Sequence, residues 1–277
     1  MELLKGAETA KTLTKRAKEI VQSLPRAPKL AIIRFGENES DISYETGAKK
    51  RMDKCGIDCV SLVYPSDIDP ERFFSEFEAL NRDSSVDGIL VLQPLPKSID
   101  GTRLFGMMDP EKDMDCATKE NRLRLFEGRE TVFPCTPEAV IRMMEHRGID
   151  PSGKRAVVIG RSMVVGKPLA MMLLGKNATV TICHSRTRDL PAVCREADIL
   201  VTAIGRAEMI DGSYVKPGAA VFDVGINMNA SGALVGDCRQ EEMQQASLLT
   251  PVPGGVGSVT TSVLALHTAE AAAKKLL

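Results

Sequence analysis

The sequence predicts an α/β protein with two domains, and three observations support this prediction. Apolar strand-like runs alternate with helical stretches almost throughout the chain, which is the pattern of α/β units around a mainly parallel sheet. Two prolines interrupt the alternation at residues 133–137 (FPCTP), where we place a hinge between domains. A chain of 277 residues is also long enough to bury two modest hydrophobic cores.

The first half contains three predicted strands with two predicted helices between them, after an amphipathic helix in the first 20 residues. The strands cover Lys29–Phe35, Cys59–Val63 and Gly88–Leu92, and the helices cover Asp41–Cys55 and Pro70–Leu80. Gly56 supplies the glycine expected just past the end of a helix. The prolines of QPLP (93–96) stop the third strand.

The second half repeats the alternation as a Rossmann-like parallel sheet. Its predicted strands cover Arg155–Ile159, Thr179–Cys183, Ile199–Thr202 and Ala220–Val224, and its helices cover Pro137–Arg147, Lys167–Leu174 and Ser258–Lys275. We expect Thr136 to cap the first of these helices. The predicted domains are therefore 1–136 and 137–257, with a cleft between them, and 258–277 forms a long helix that packs back on the first domain.

Composition excludes several classes of function. A net charge of −1 and a pI near 6.4 give no basic surface for nucleic acid. No apolar run approaches the roughly 18 residues of a membrane span, and the N-terminus lacks a signal-peptide hydrophobic block. Seven cysteines without CxxC spacing and only three histidines predict reduced thiols, no metal site and a cytoplasmic protein.

The strongest ligand signal is segment 157–168 (VVIGRSMVVGKP), where a buried strand runs into a glycine turn and then a helix. Such a turn points backbone N–H groups and the positive end of the helix dipole at a phosphate. The candidate contacts are Gly160, Arg161, Ser162 and Gly166. Because the spacing is not GxGxxG, the turn alone is equally consistent with a tight structural connection.

The next strand favours a particular dinucleotide. It ends in CHSRT (183–187), where an NAD site would carry an acidic residue for the ribose 2′-hydroxyl. Ser185 and Arg186 stand there instead, and Arg161 lies in the preceding turn. A hydroxyl and two guanidinium groups suit a 2′-phosphate, so the sequence predicts NADP. The alternative interpretation is that both arginines are solvated surface charges.

Several motifs, in order along nearly the whole chain, closely resemble those of methylenetetrahydrofolate dehydrogenase/cyclohydrolases. They are ISYETGAKKR (42–51), DGILVLQPLP (87–96), EKDMDCATKEN (111–121), GRSMVVGKP (160–168), TVTICHSRT (179–187), ADILVTAIG (197–205), DVGIN (223–227) and PVPGGVG (251–257). The resemblance implies hydride transfer from 5,10-methylenetetrahydrofolate to NADP⁺, followed in bifunctional members by hydration to 10-formyltetrahydrofolate. It also implies a folate domain, a folate cleft and a homodimer formed through the cofactor domain.

The resemblance also assigns site residues. Tyr44 and Asp115 match the family's catalytic and substrate-binding positions, with Tyr44 lining the cleft and Asp115 binding the pterin. Pro253, Gly254 and Gly255 match substrate-binding positions of the PVPGGVG motif. Ile226 of DVGIN matches a cofactor-binding position. Without the resemblance, Tyr44 reads as a packing residue and Asp115 as a loop carboxylate.

Two departures from the family pattern concern the hydration step. The family places a lysine four residues after the tyrosine, where this chain has Ala48, and Lys49 lies about 140° around the helix from Tyr44. The family's VQLPLP is VLQPLP here, so Leu92 takes the place of the glutamine and Gln93 is shifted by one. A one-residue shift in a strand moves a side chain to the opposite face.

Because hydration needs proton transfer, these departures predict a dehydrogenase with weak or lost cyclohydrolase activity. The main alternative is a fully bifunctional enzyme that uses Lys49 and Gln93 as catalytic residues. Two further alternatives are an NADP dehydrogenase acting on another small acid and a non-catalytic NADP- or folate-binding protein. A smaller departure is Cys116, which replaces the glycine that usually follows the pterin-binding aspartate.

Overall fold

The computed structural model describes residues 1–277, which divide into two compact units. The first unit comprises residues 11–124, 130–133 and 261–277. The second unit comprises residues 1–10, 125–129 and 134–260. Each unit contains one parallel sheet with helices around it, so the predicted α/β fold class is confirmed.

The regular elements follow one another in the alternating order that the sequence predicts. Those before the hinge are β1 (Glu2–Leu3), α1 (Ala7–Gln22), β2 (Lys29–Phe35), α2 (Glu39–Cys55), β3 (Asp58–Tyr64), α3 (Pro70–Arg82), β4 (Gly88–Val91), α4 (Gly101–Met107) and α5 (Lys119–Phe126). Those after it are α6 (Cys135–Arg147), β5 (Arg155–Ile159), α7 (Gly166–Gly175), β6 (Thr179–Cys183), α8 (Leu190–Cys194), β7 (Ile199–Thr202), β8 (Ala220–Asp223), β9 (Asn227–Met228), β10 (Leu234–Val235), β11 (Leu248–Leu249) and α9 (Gly257–Leu276).

The first unit is organised by a three-stranded parallel sheet in the order β3-β2-β4. Central strand β2 is an almost continuous apolar run, as expected for a strand covered on both faces. Aromatic rings fill one side of this sheet: the centroid of Phe73 lies 5.1 Å from that of Phe35 and 5.2 Å from that of Tyr64. Such tilted and edge-on pairs add to the stabilisation from apolar burial.

Helix α2 follows β2, and capping residues at its two ends determine where it begins and where it stops. The Asn38 side chain accepts hydrogen bonds from the backbone N–H groups of Ser40 and Asp41, so the helix begins at Glu39, two residues earlier than predicted. Gly56 ends the helix in the left-handed region at φ 76°, which a glycine adopts without steric cost.

The second unit contains a six-stranded parallel sheet in the order β1-β11-β8-β7-β5-β6. From β5 the chain goes first to β6 on one side and then to β7 on the other. This reversal is a topological switch point, and ligands of such sheets bind outside the carboxyl ends of the strands on either side of it. We therefore expect a ligand of the second unit to bind at the residues that follow β5, β6 and β7.

The two units differ from the predicted domains at residues 1–10, 125–129 and 134–136. Residues 1–10, which we assigned to the first domain, belong to the second unit because β1 pairs in parallel with β11. Residues 261–277, which include most of α9, belong to the first unit, the one on which we expected the last helix to pack; there the Thr14 hydroxyl donates to Ser262 Oγ at 3.4 Å. The predicted Thr136 cap is wrong, because α6 begins at Cys135, two residues earlier than predicted, and Pro134 occupies the cap position.

No helix of the chain is both long and apolar enough to cross a membrane. The seven cysteines are all free thiols, six of them buried.

Asp87 ties the start of the first sheet to the end of the chain. Its fully buried carboxylate accepts from both terminal nitrogens of Arg26, at 2.7 and 2.8 Å, and from the backbone N–H of Lys29 at 2.9 Å. The Lys275 ammonium lies 3.6 Å away. Burial raises the pKa of Asp87, but Arg26 and the Lys29 amide lower it more, and the net shift is downward.

We expect Asp87→Asn to destabilise the first unit by about 3 kcal/mol, because it leaves a partly desolvated guanidinium without its charged partner. Because the pKa of Asp87 is lowered in the folded state, this contribution is present above the unfolded-state pKa and is lost as the pH falls through the folded one. Urea unfolding at pH 7 and at lower pH measures both effects. The control is Glu71→Gln, which breaks the exposed pair with Arg103 and should leave the unfolding free energy nearly unchanged.

Candidate active site

A glycine turn joins β5 to α7 at the switch point of the second unit. Gly160 has φ 135°, and a Cβ there would lie 2.3 Å from the backbone oxygen of Ala203, which follows β7. A Cβ on Gly166 would lie 2.1 Å from the backbone oxygen of Gly160. Backbone therefore packs on backbone at both positions, and only glycine fits either of them.

Ser162 shapes the start of α7. Its hydroxyl oxygen accepts from the backbone N–H groups of Val165 at 3.0 Å and Gly166 at 3.3 Å. The cap position itself, Val165, offers no side-chain acceptor, so Ser162 takes this role from three residues upstream. The exposed turn and the positive end of the α7 dipole together form an anion-binding arrangement.

A second turn follows β6, which lies beside β5 in the sheet. The His184 N–H donates to Thr187 Oγ1 at 2.9 Å, and the Thr187 N–H donates to the His184 carbonyl at 2.9 Å. The Arg186 N–H donates to His184 Nδ1 at 3.1 Å. Ser185 and Arg186 are exposed at the tip of this turn, next along the sheet edge from the exposed Arg161.

His184 and Thr187, which build the turn that presents Ser185 and Arg186, were not predicted from the sequence. A histidine followed three residues later by a threonine is a local signal for such a turn, because the hydroxyl can accept from a nearby backbone N–H. The signal is weak in the sequence alone.

Two buried aspartates, Asp237 and Asp223, organise the loops after β7 and β8. Asp237 accepts from the backbone N–H of Ile204 at 2.7 Å, that of Arg206 at 2.8 Å and the side-chain amide of Asn227 at 3.0 Å. The carboxylate of Asp223 accepts from the Thr202 hydroxyl and from the backbone N–H groups at 237 and 238. Burial raises the pKa of Asp223 to about 6.

Glycines make room for these carboxylates. A Cβ on Gly225 would lie 2.2 Å from the Asp237 carboxylate, and a Cβ on Gly236 would lie 1.9 Å from Asp223 Oδ2. The neighbouring Ile226 is 59% exposed and therefore available to a ligand, as expected of a cofactor-binding position. The glycine of DVGIN is thus required by the buried Asp237 carboxylate.

The PVPGGVG turn is held by backbone contacts. The Val252–Pro253 peptide bond is cis, and Gly254 has φ 99°. A Cβ on Gly255 would lie 2.4 Å from the Pro251 carbonyl oxygen. The Gly254 carbonyl accepts from the Gly6 N–H at 2.9 Å, while Pro253 and Gly254 are exposed.

In the first unit, the predicted site residues follow the carboxyl ends of adjacent strands. Tyr44 lies in the second turn of α2, which follows β2, and its side chain is partly buried. Asp113 forms a parallel bridge with Ile89 of β4, so Asp115 runs alongside the end of that strand. Because β2 and β4 are paired in parallel, the topology brings the segments that carry Tyr44 and Asp115 to one edge of the sheet.

Asp113 shapes the turn that carries Asp115. Its carboxylate accepts from the backbone N–H groups of Asp115, Ala117 and Thr118, at 3.3, 2.9 and 2.8 Å, and from the side-chain amide of Asn121 at 3.0 Å. Asp113 was not predicted from the sequence as a site residue. The signal that was available is an aspartate two residues before a turn, because such carboxylates accept from backbone N–H groups further along the chain.

Cys116 has φ 55°, a left-handed conformation that costs a non-glycine residue about 1–2 kcal/mol. This explains why a glycine suits the position. Burial raises the pKa of the Cys116 thiol to about 12, so the thiol is protonated and unreactive at neutral pH.

Lys49 is engaged by Glu45 on the helix face next to that of Tyr44. Its ammonium lies 2.8 Å from Glu45 Oε1, while Arg34 Nε donates to Glu45 Oε2 at 2.7 Å. Burial raises the pKa of Glu45, but Lys49, Ser61 and Arg34 lower it more, to about 2. Ala48, one turn after Tyr44, is fully buried.

Leu92 and Gln93 lie just beyond the end of β4. The Leu92 N–H donates to the Ile33 carbonyl at 2.9 Å, which continues the sheet pairing by one residue, and its side chain is partly buried. Gln93 is exposed and precedes Pro94 through a cis peptide bond. Leu92 is therefore the last residue that pairs in this strand, and Gln93 follows it.

Two family profiles cover almost the whole chain. The catalytic domain of tetrahydrofolate dehydrogenase/cyclohydrolase matches residues 4–115, and the NAD(P)-binding domain of the same family matches residues 134–276. The division between the two matches falls beside the proline-rich hinge.

Relatives and solved structures agree with these matches. The bifunctional protein FolD of Clostridium kluyveri is 49% identical over 90% of this chain and 88% of its own length. The bifunctional FolD of Campylobacter jejuni has a similar structure, with a TM-score of 0.96, 37% identity and full coverage of both chains. The FolD structure of Trypanosoma brucei, complexed with NADP and an inhibitor, has a TM-score of 0.92 and 34% identity, covering 99% of this chain and 97% of its own.

The glycine turn yields a matched pair of substitutions within one helix. Gly166→Ala should reduce NADP⁺ affinity at least tenfold, because the added methyl meets the Gly160 carbonyl and displaces the turn. Gly175→Ala, at the other end of α7, meets nothing within 4 Å and should leave affinity unchanged. Titration calorimetry with NADP⁺ measures both. Equal affinities in the two folded variants would contradict the assignment of the turn to phosphate binding.

Proposed function

Because the chain belongs to the tetrahydrofolate dehydrogenase/cyclohydrolase family, we propose that its main reaction is the NADP-dependent oxidation of 5,10-methylenetetrahydrofolate to 5,10-methenyltetrahydrofolate. The proposal includes a cyclohydrolase activity that is weak or lost. A fully bifunctional enzyme, which also produces 10-formyltetrahydrofolate, is the alternative that the relatives' names favour.

The observation that carries the proposal is the state of Lys49. Its ammonium is bound to a buried carboxylate that Arg34 also holds, and withdrawing it would leave Glu45 with one cation fewer. The Tyr44 face of α2 carries the methyl group of Ala48 where the family pattern has a lysine. A methyl group cannot give or take a proton, so the hydration step loses a general acid–base group.

The strand end reinforces the same conclusion. Leu92 replaces a glutamine in the family pattern, and an aliphatic side chain neither donates nor accepts a hydrogen bond. Gln93 is exposed and lies one residue beyond Leu92, the last residue whose N–H pairs with β2. The two substitutions together remove polar groups from the same sheet edge.

Oxidation of the methylene group needs fewer catalytic side chains than hydration does. The nicotinamide of NADP⁺ accepts the hydride, so the chain must hold the folate, orient its methylene carbon and keep water away. We assign Asp115 to pterin binding, since a carboxylate accepts hydrogen bonds from ring N–H and amino groups. Tyr44 lines the folate site, and Pro253, Gly254 and Gly255 contribute backbone to substrate binding.

The second unit binds NADP, and we assign the contacts to its exposed strand ends. Gly160, Ser162 and Gly166 form the phosphate turn, and Ile226 offers an exposed apolar side chain beyond β8. Arg161, Ser185 and Arg186 supply two guanidinium groups and a hydroxyl at the neighbouring ends of β5 and β6. This set fits a 2′-phosphate dianion, which distinguishes NADP from NAD.

Assembly and location belong to the same proposal. The family resemblance implies a homodimer formed through the cofactor unit, and β6 lies at one edge of that sheet with exposed side chains. An edge strand with free backbone groups is suited to pairing with a second copy.

We place the protein in the cytoplasm on the basis of its reduced cysteines.

Two other functions are separated from this proposal by one assay. An NADP dehydrogenase for another small acid would ignore methylenetetrahydrofolate, and a non-catalytic binding protein would bind NADP⁺ without turnover. Formation of methenyltetrahydrofolate, followed by its absorbance after mixing both substrates, excludes the two together.

The dehydrogenase and cyclohydrolase rates should be measured on the same preparation of the protein. We expect rapid NADP⁺-dependent oxidation, and hydrolysis of methenyltetrahydrofolate little faster than in buffer. Ala48→Lys combined with Leu92→Gln should raise hydrolysis at least tenfold, because general acid–base groups typically contribute about 10²–10⁴-fold. The control is Lys49→Met, which should leave hydrolysis unchanged. Rapid hydrolysis by the unmodified protein that Lys49→Met abolishes would overturn the proposal.

Cofactor preference gives a separate prediction. Arg161→Ala and Arg186→Ala should each raise the KM for NADP⁺ about tenfold or more, since a charge-assisted hydrogen bond is worth about 1.5–3 kcal/mol. The KM for NAD⁺ should not change. Arg188→Ala, an exposed arginine two residues on, is the control. Equal losses with both cofactors would show that the arginines do not contact the 2′-phosphate.

A further inference from the structure

A buried histidine of α9 lies against the turn that carries Asp115. His267 is 5% exposed, and its Nδ1 lies 3.2 Å from the carbonyl oxygen of Met114. Both residues belong to the first unit. A carbonyl oxygen can only accept, so Nδ1 carries the proton in this contact.

This contact holds the carbonyl of the Met114–Asp115 peptide group, and Asp113 holds the N–H of the same group. The Met114 carbonyl accepts from His267, while the N–H of the same peptide group, which belongs to Asp115, donates to Asp113 Oδ1 at 3.3 Å. The N–H of Met114 itself donates to the Ile89 carbonyl of β4 at 3.3 Å. The backbone leading into Asp115 is therefore tied to α9, to β4 and to its own turn.

The turn needs such restraint because the next residue is strained. Cys116 follows Asp115 in a left-handed conformation, φ 55°, which a non-glycine residue keeps only where its surroundings impose it. A rotation of the Met114–Asp115 peptide would change φ of Asp115 and would swing the Asp115 carboxylate away from its place at the sheet edge.

We propose that His267 is a positioning residue for substrate binding, which holds the Asp115 carboxylate in place through the Met114–Asp115 peptide group. The inference rests on the proposed function, in which Asp115 binds the pterin. His267 acts on the folate side alone, because the NADP contacts lie in the second unit.

The first test compares His267→Leu with Thr268→Val. Leucine has a similar volume but no donor, and we expect the KM for methylenetetrahydrofolate to rise about tenfold, as for a lost buried hydrogen bond. The KM for NADP⁺ should stay within about twofold. Thr268 is the matched control, since it is equally buried on α9 and its hydroxyl donates at 2.9 Å to Leu264 of the same helix. Thr268→Val should change neither KM.

Rescue distinguishes positioning from packing. The side-chain amide of asparagine can reach the place of Nδ1, whereas that of glutamine reaches towards the place of Nε2. His267→Asn should therefore keep the KM for folate within about threefold of the unmodified enzyme, and His267→Gln should resemble His267→Leu. This comparison also serves if the leucine variant does not fold, because both amide variants retain polar side chains.

Hydrogen exchange supplies a readout besides activity. The backbone N–H groups of Ala117 and Thr118, which donate to Asp113, should exchange at least tenfold faster in His267→Gln than in His267→Asn.

An unchanged folate KM in folded His267→Leu or His267→Gln would overturn the inference, as would an equal rise in both KM values. Failure of the unmodified protein to oxidise methylenetetrahydrofolate would instead overturn the proposed function. The exchange rates would then still report whether His267 holds the turn.

Discussion

Buried aspartates that accept backbone N–H groups hold the loops of both candidate sites in place. Asp113 gathers three N–H groups of the turn that presents Asp115, and Asp237 gathers two N–H groups and an asparagine side chain beyond β7 and β8. Loops of this kind have no ladder of their own, so a buried acceptor satisfies the amides that the sheet leaves free. The exposed ligand-facing side chains depend on these inward-facing carboxylates for their direction.

The groups proposed for hydration have a different setting from those proposed for binding. The residues assigned to dinucleotide and folate binding lie on loops with buried acceptors behind them. The position one turn after Tyr44 carries only a methyl group, and the next lysine is committed to Glu45. A carboxylate whose pKa is about 2 stays ionised at every physiological pH, so its hold on Lys49 does not relax.

Hydrophobic runs and turn residues in the sequence predicted the strands of the second unit well. The strands Arg155–Ile159, Thr179–Cys183 and Ile199–Thr202 have the predicted bounds, since each is a short apolar run between turn residues. The glycines of the phosphate turn were also evident from the sequence. Asp113, Asp237 and His267 were not, because each acts through partners that periodicity and spacing do not bring together. Thr136 was misassigned because α6 begins two residues earlier than a cap at Thr136 would place it.

The pairing of β1 with β11 has a consequence for how the protein is divided. Strand β1 is the outer strand of the six-stranded sheet, and its neighbour β11 lies far from it along the sequence. The edge of that sheet therefore closes through a long-range contact of the kind that slows folding. A fragment that begins at the hinge lacks β1, which would leave β11 as an open edge of the sheet. It also lacks Gly6, whose N–H donates to the PVPGGVG turn. The cofactor unit is therefore not the contiguous segment, residues 134–276, that the family profile matches.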